Sequence, residues 1–100
     1  MNNEIDSILD EAAQAAVSLG NGMAEQQPET DLRDIADGIL AGAVHYWLYA
    51  SQPCGDPQCD DCAPIATAEQ RVAELQRLVS DMAGDSTYYH APTDLNVAHA

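Results

Sequence analysis

Apolar residues recur at intervals of three and four along three stretches of the chain, the spacing that lines one face of an α-helix. In the first stretch Ile5, Ile8, Leu9, Ala12, Ala13, Ala16 and Val17 form the stripe. They predict a helix over residues 4–19, capped by Asn3, with Asp6 in the positive first turn and Gly20-Asn21-Gly22 as a left-handed stop. Met23 to Thr30 reads as a connection punctuated by Gln26-Gln27-Pro28. In the second stretch Leu32, Ile35, Ala36, Ile39, Leu40, Ala43, Val44, Trp47 and Leu48 predict a long central helix over residues 31–50. Gly38 and Gly42 lie beside that stripe. Each costs up to about 1 kcal/mol relative to Ala in a helix interior. Close approach of another backbone is the expected compensation, within the chain's own packing or at a helix dimer seam.

Ser51 to Ala66 holds Pro53, Gly55, Pro57 and Pro64 and is expected to be a loop. Thr67-Ala68-Glu69-Gln70 then matches a capping box that opens a third helix over residues 68–83. Val72, Leu75, Leu78, Val79 and Met82 make its apolar seam, and Gly84 is placed to end it. On its outer face Arg71 can meet Glu74, and Arg77 can meet Glu74 or Asp81. Residues 85–100 lack sustained periodicity and read as an extended tail carrying Tyr88 and Tyr89. Short connections and three mutually dependent stripes predict an all-α fold: an antiparallel three-helix bundle, one small domain over residues 1–100, with a cysteine-containing loop and a C-terminal tail.

Charge narrows the functions available. Three arginines and no lysine stand against 17 acidic residues, a formal net charge of −14. Direct binding to nucleic acid or to an anionic membrane is excluded on this reading, because Lys and Arg supply phosphate affinity. At 46% hydrophobic the chain is too apolar for an acidic disordered tail and is expected to fold. Its longest apolar stretch, residues 35–50, is interrupted by Asp37 and His45 and falls short of the roughly 18 residues a membrane span needs. No basic region followed by an apolar segment opens the sequence, so a cytoplasmic location is expected.

Cys54, Cys59 and Cys62 follow the order Cys-x4-Cys-x2-Cys. The two-residue interval lets both thiolates of a tight turn face one tetrahedral ion, which makes zinc the candidate cofactor. His45 is the candidate fourth ligand, with His90 or His99 as alternatives. The competing readings are three ordinary thiols in a proline-stiffened loop, or a redox pair at Cys59 and Cys62. Asp60-Asp61 between that pair disfavours thiolate and so weakens the redox reading. The plant-type ferredoxin spacing lacks its fourth cysteine here, and the zinc deaminase pattern lacks its His-x-Glu. No nucleophile–base arrangement is legible, and the chain is expected not to be an enzyme. Tyr46 and Trp47 are expected in the core.

The acidic residues are spread along the chain, and no cation precedes Arg33. Glu25, Glu29, Asp31, Asp34 and Asp37 gather about the start of the second helix and are the expected partner contacts, with Tyr88 and Tyr89 at the rim. Carboxylates on a rigid frame can occupy a phosphate-binding groove. Acidity of this density also serves solubility, and an acid-rich chain without lysine also fits adaptation to high salt. In length, charge and helical core the chain resembles the small, acidic, phage-encoded anti-CRISPR proteins. That resemblance implies a non-enzymatic inhibitor acting in the bacterial host cell, which binds a CRISPR surveillance complex and blocks its access to target DNA. The alternative is a zinc-stabilised helical adapter or regulator whose partner is another protein.

Overall fold

A computed structural model of the protein describes the backbone of residues 3–94 and the side chains of residues 7–94. Three α-helices account for most of it: α1 (Asn3–Gln26), α2 (Leu32–Ala50) and α3 (Ala68–Asp85). A 3-10 helix at Ala63–Ile65 precedes α3, and no strand occurs among the described residues. The chain divides into two units, Met1–Tyr49 and Ala50–Ala100.

In the first unit, α1 runs on to Gln26, through the stop expected at Gly20-Asn21-Gly22. Gly20 and Gly22 are helical, and the one glycine with positive φ among the described residues is Gly55. The reason is tertiary. Gly20 continues the apolar stripe of Ala13, Ala16 and Val17, and a Cβ there would stand only 3.1 Å from Ile39 Cδ1 of α2. The absent side chain makes room for Ile39 rather than ending the helix. Met23 and Ala24 are half-buried, so the segment read as a connection contributes another turn. Chain reversal falls instead at Pro28, with the Gln27 amide donating to the Met23 carbonyl (2.9 Å) and the Thr30 amide to the Gln27 carbonyl (3.0 Å). The expected roles of Asn3 and Asp6 concern side chains outside the described residues.

Asp31 starts α2. Its Oδ1 accepts from the Arg33 amide at 2.9 Å, and its carbonyl accepts from the Asp34 amide at 3.0 Å. The close approach expected at Gly38 and Gly42 is not found, since a Cβ at either would meet no atom within 4 Å. Ile35 is the one buried residue among those described, at 8% exposure. Along α1 and α2, Ile8, Leu9, Val17, Leu19, Leu32 and Leu40 remain exposed. Tyr46, expected in the core, is 68% exposed and pairs with Tyr49 at a centroid distance of 5.9 Å, while Trp47 is half-buried. The three and four spacing marked the helices correctly but overstated how completely their stripes are covered.

The second unit holds the cysteine loop, the 3-10 helix and α3. The capping box forms as the sequence predicts: Thr67 Oγ1 accepts from the Gln70 amide and Gln70 Oε1 accepts from the Thr67 amide, both at 3.1 Å. Gly84 does not end α3; the helix continues through Asp85 and closes with the Ser86 amide donating to the Ala83 carbonyl. Arg77 bridges Glu74 (2.7 Å) and Asp81 (3.1 Å), as its spacing suggests. Arg71 takes a different partner from the expected Glu74. Its Nη1 donates to the Ile65 carbonyl at 3.0 Å, because the 3-10 helix brings an end carbonyl against the first turn of α3. Beyond α3 the chain is turned rather than extended up to residue 94, with the Tyr89 amide donating to the Ser86 carbonyl and the Asp94 amide to the Ala91 carbonyl.

Candidate metal centre and acidic surface

Three prolines remove backbone donors from the segment between α2 and α3, so regular ladders cannot form there and side chains and turns set its path. Asp56 Oδ1 accepts from the Gln58 amide at 2.9 Å, and the Cys59 amide donates to the Asp56 carbonyl at 3.1 Å. Gly55, with φ of 93°, takes a backbone conformation that other residues adopt only with strain. The turn that follows runs directly into the 3-10 helix, with the Ile65 amide donating to the Cys62 carbonyl.

This path gathers the cysteines. The sulfurs of Cys54, Cys59 and Cys62 all lie within 4.8 Å of one another, an arrangement compatible with a metal site. All three are free thiols, Cys54 exposed and the others half-buried. The Cys54 amide donates to Cys62 Sγ at 3.4 Å, closing the loop across eight residues. The amide of Cys62, the sulfurs of Cys62 and Cys54, and the amide of Asp61 all favour thiolate at Cys59, holding it below its ordinary pKa. At Cys62 the Cys54 amide also favours thiolate, but the sulfurs of Cys59 and Cys54 outweigh it and hold that thiol above its ordinary value. Cys59 and Cys62 therefore differ in readiness to ionise, although Asp60 and Asp61 lie between them. A pocket of about 320 Å³ adjoins the cluster, lined by Cys59, Cys62, Pro53, Asp56 and Pro57 among others.

His45 stands exposed on α2 in the first unit, whereas the sulfur cluster is built wholly within the second. Within the second unit, no histidine nitrogen or carboxylate oxygen of the described residues joins the three sulfurs. His90 faces a different group: its Nδ1 lies 3.7 Å from Asp94 Oδ2 and its ring meets that of Tyr89 edge-on at 4.8 Å. His99 lies outside the described residues.

The acidic candidates occupy consecutive features of the first unit: Glu25 the last turn of α1, Glu29 the reversal, Asp31 the cap of α2, and Asp34 and Asp37 its first turns. All five are exposed. Asp31 is partly engaged in capping, so its carboxylate is less available than those of Asp34 and Asp37. Asp34 also borders an apolar groove of about 510 Å³ between α1 and α2, formed by Leu19, Met23, Ile35 and Ile39 with Gly38 and Gly42. Tyr88 and Tyr89, in the turns of the second unit, are 91% and 56% exposed. The two structural residues that pattern reading missed are Gly20 and Arg71. Gly20 was legible as a small residue in register with Ala16 and Val17; Arg71 carried no sequence mark of its carbonyl partner. Among the described residues, no helix is long and apolar enough to cross a membrane. Compared with protein-family models, curated proteins and solved structures, the chain matches none.

Proposed function

We propose that this protein is a non-enzymatic acidic inhibitor that covers a basic, nucleic-acid-binding surface of a bacterial complex, in the manner of an anti-CRISPR protein denying a surveillance complex its target DNA. The observation that carries this reading is the exposure of Glu25, Glu29, Asp31, Asp34 and Asp37 about the turn from α1 to α2, with Arg33 the one cation among them. Of the two cations of α3, Arg77 is already paired with Glu74 and Asp81. A groove that binds phosphate offers charge-assisted hydrogen bonds to carboxylates as well. The antiparallel three-helix bundle expected from the short connections is the frame assumed in this reading.

The test is inhibition of target-DNA binding by purified CRISPR surveillance complexes, measured over a range of salt. Inhibition that weakens steeply with salt supports the reading. Asp34→Lys with Asp37→Lys, leaving Asp31 to cap α2, should abolish inhibition while the helical spectrum is retained. Inhibition untouched by that double reversal, or absent altogether, overturns it.

A second reading, a zinc-stabilised helical adapter, is favoured by the sulfur cluster. In it zinc is held by Cys54, Cys59 and Cys62, with His45 as the fourth ligand expected from the sequence, and the exposed Tyr88 and Tyr89 supply contact area to a protein partner. Binding of that kind would change little with salt.

A further inference from the structure

We propose that Cys54, Cys59 and Cys62 by themselves hold one zinc ion, with water in the fourth position, and that this ion orders the loop between α2 and α3. The inference rests on the zinc-stabilised reading and changes one ligand of it.

Two independent observations support it. The first is donor geometry: three sulfurs of one loop converge within 4.8 Å, and tetrahedral zinc takes thiolates at about 2.3 Å, which places sulfur pairs on one ion just under 4 Å apart. The second is how thin the apolar cover of this unit is. No described residue of the second unit is buried: Ile65, Leu75 and Leu78 are half-buried, and Val72, Val79 and Met82 of α3 are exposed. Hydrophobic burial therefore supplies little to hold a segment with three prolines and a positive-φ glycine. In small domains lacking a core, metal binding free energy is folding free energy.

The fourth position follows from the surroundings. Asp56 already turns its Oδ1 to the Gln58 amide, and the pocket beside Cys59 and Cys62 has room for solvent. Three thiolates with water make an open site, unlike the closed four-ligand sites that serve structure alone. Loading replaces three S–H bonds by three metal–sulfur bonds and releases the thiol protons to solvent, so apparent affinity rises with pH. The Cys54 amide that donates to Cys62 Sγ orients that sulfur as outer-shell donors commonly do.

The experiment is an anaerobic titration of the reduced, metal-free full chain with Co(II), followed by Zn(II). Saturation at one ion per chain, with sulfur-to-cobalt charge-transfer absorption that Zn(II) abolishes, is the expected result. Cys59→Ser should weaken cobalt binding by more than about 100-fold, above the 10–100-fold that loss of an outer-shell partner costs. Should that variant misfold, the wild-type titration still decides whether the metal binds. His45→Ala should bind as wild type does. Loss of binding in His45→Ala overturns the three-cysteine assignment and restores the four-ligand site, whereas no saturable binding by the wild-type chain overturns both. Amide exchange over residues 54–62 should slow on loading; unchanged exchange overturns the ordering role.

Discussion

Arg71 reaches back six residues to donate from Nη1 to the Ile65 carbonyl at 3.0 Å, fastening the first turn of α3 to the 3-10 helix that ends the cysteine loop. The contact is partly buried and its donor is charged, the class of hydrogen bond that contributes about 1.5–3 kcal/mol at full strength. Arg71→Ala should therefore destabilise the second unit by about 1–2 kcal/mol. Amide exchange should accelerate at residues 65–71; a uniform change over all three helices would argue against a local fastening.

The capping box gives a separable effect. Thr67→Ala removes the acceptor for the Gln70 amide and should cost about 1 kcal/mol. Thr67→Ser, which keeps the oxygen, should recover most of it in a thermal melt followed by circular dichroism.

Glycines of the first unit should respond in opposite ways to the same substitution. Ala at Gly38 or Gly42 meets open space, so each should gain about 0.5–1 kcal/mol from helix propensity. Ala at Gly20 meets Ile39 at 3.1 Å and should fall below both in denaturant midpoint. An equal gain at all three positions would show that α1 and α2 are not in register there.

In metal-free protein the thiols should separate by reactivity. Cys59 is held towards thiolate and Cys62 towards thiol. Near neutral pH a haloacetamide should modify Cys59 before Cys62, with the difference narrowing as pH rises and both ionise. Mass mapping of partially alkylated chains reads the order directly.

On α3 the side-chain hydrogen bonds from Arg77 hold the Glu74 carboxyl below the ordinary glutamate range. A lowered folded-state value means that the pair's stabilisation is present above the ordinary glutamate pKa and disappears as pH falls through the lowered one. Carboxyl titration by NMR should show Glu74 ionising at lower pH than an ordinary glutamate, and Arg77→Gln should return it. The pair is solvent-exposed, so the effect on melting temperature should be small and weaken with salt.

Helix existence was legible because the three and four spacing of Ile35, Ile39 and Ala43, or of Val72, Leu75 and Val79, reflects helix geometry alone. The capping box was legible for the same reason, as a contact within four residues. Helix ends were not. Gly20 and Gly84 carry the local mark of a terminator, yet Gly20 is fixed by Ile39, some twenty residues away, and local pattern cannot contain that contact. The cysteines were legible as a group from their spacing. Whether a histidine joins them depends on tertiary placement, which spacing does not encode.

Trp47, half-buried near the end of α2, is the sole tryptophan, and Tyr46 and Tyr49 stand within two residues of it. Its emission is thus an intrinsic optical reporter for the last turns of that helix, free of any second indole signal. Tyrosine excitation will feed it from the same turn. A wavelength shift on adding metal or partner protein would report a change of solvent at this one place, with no label attached.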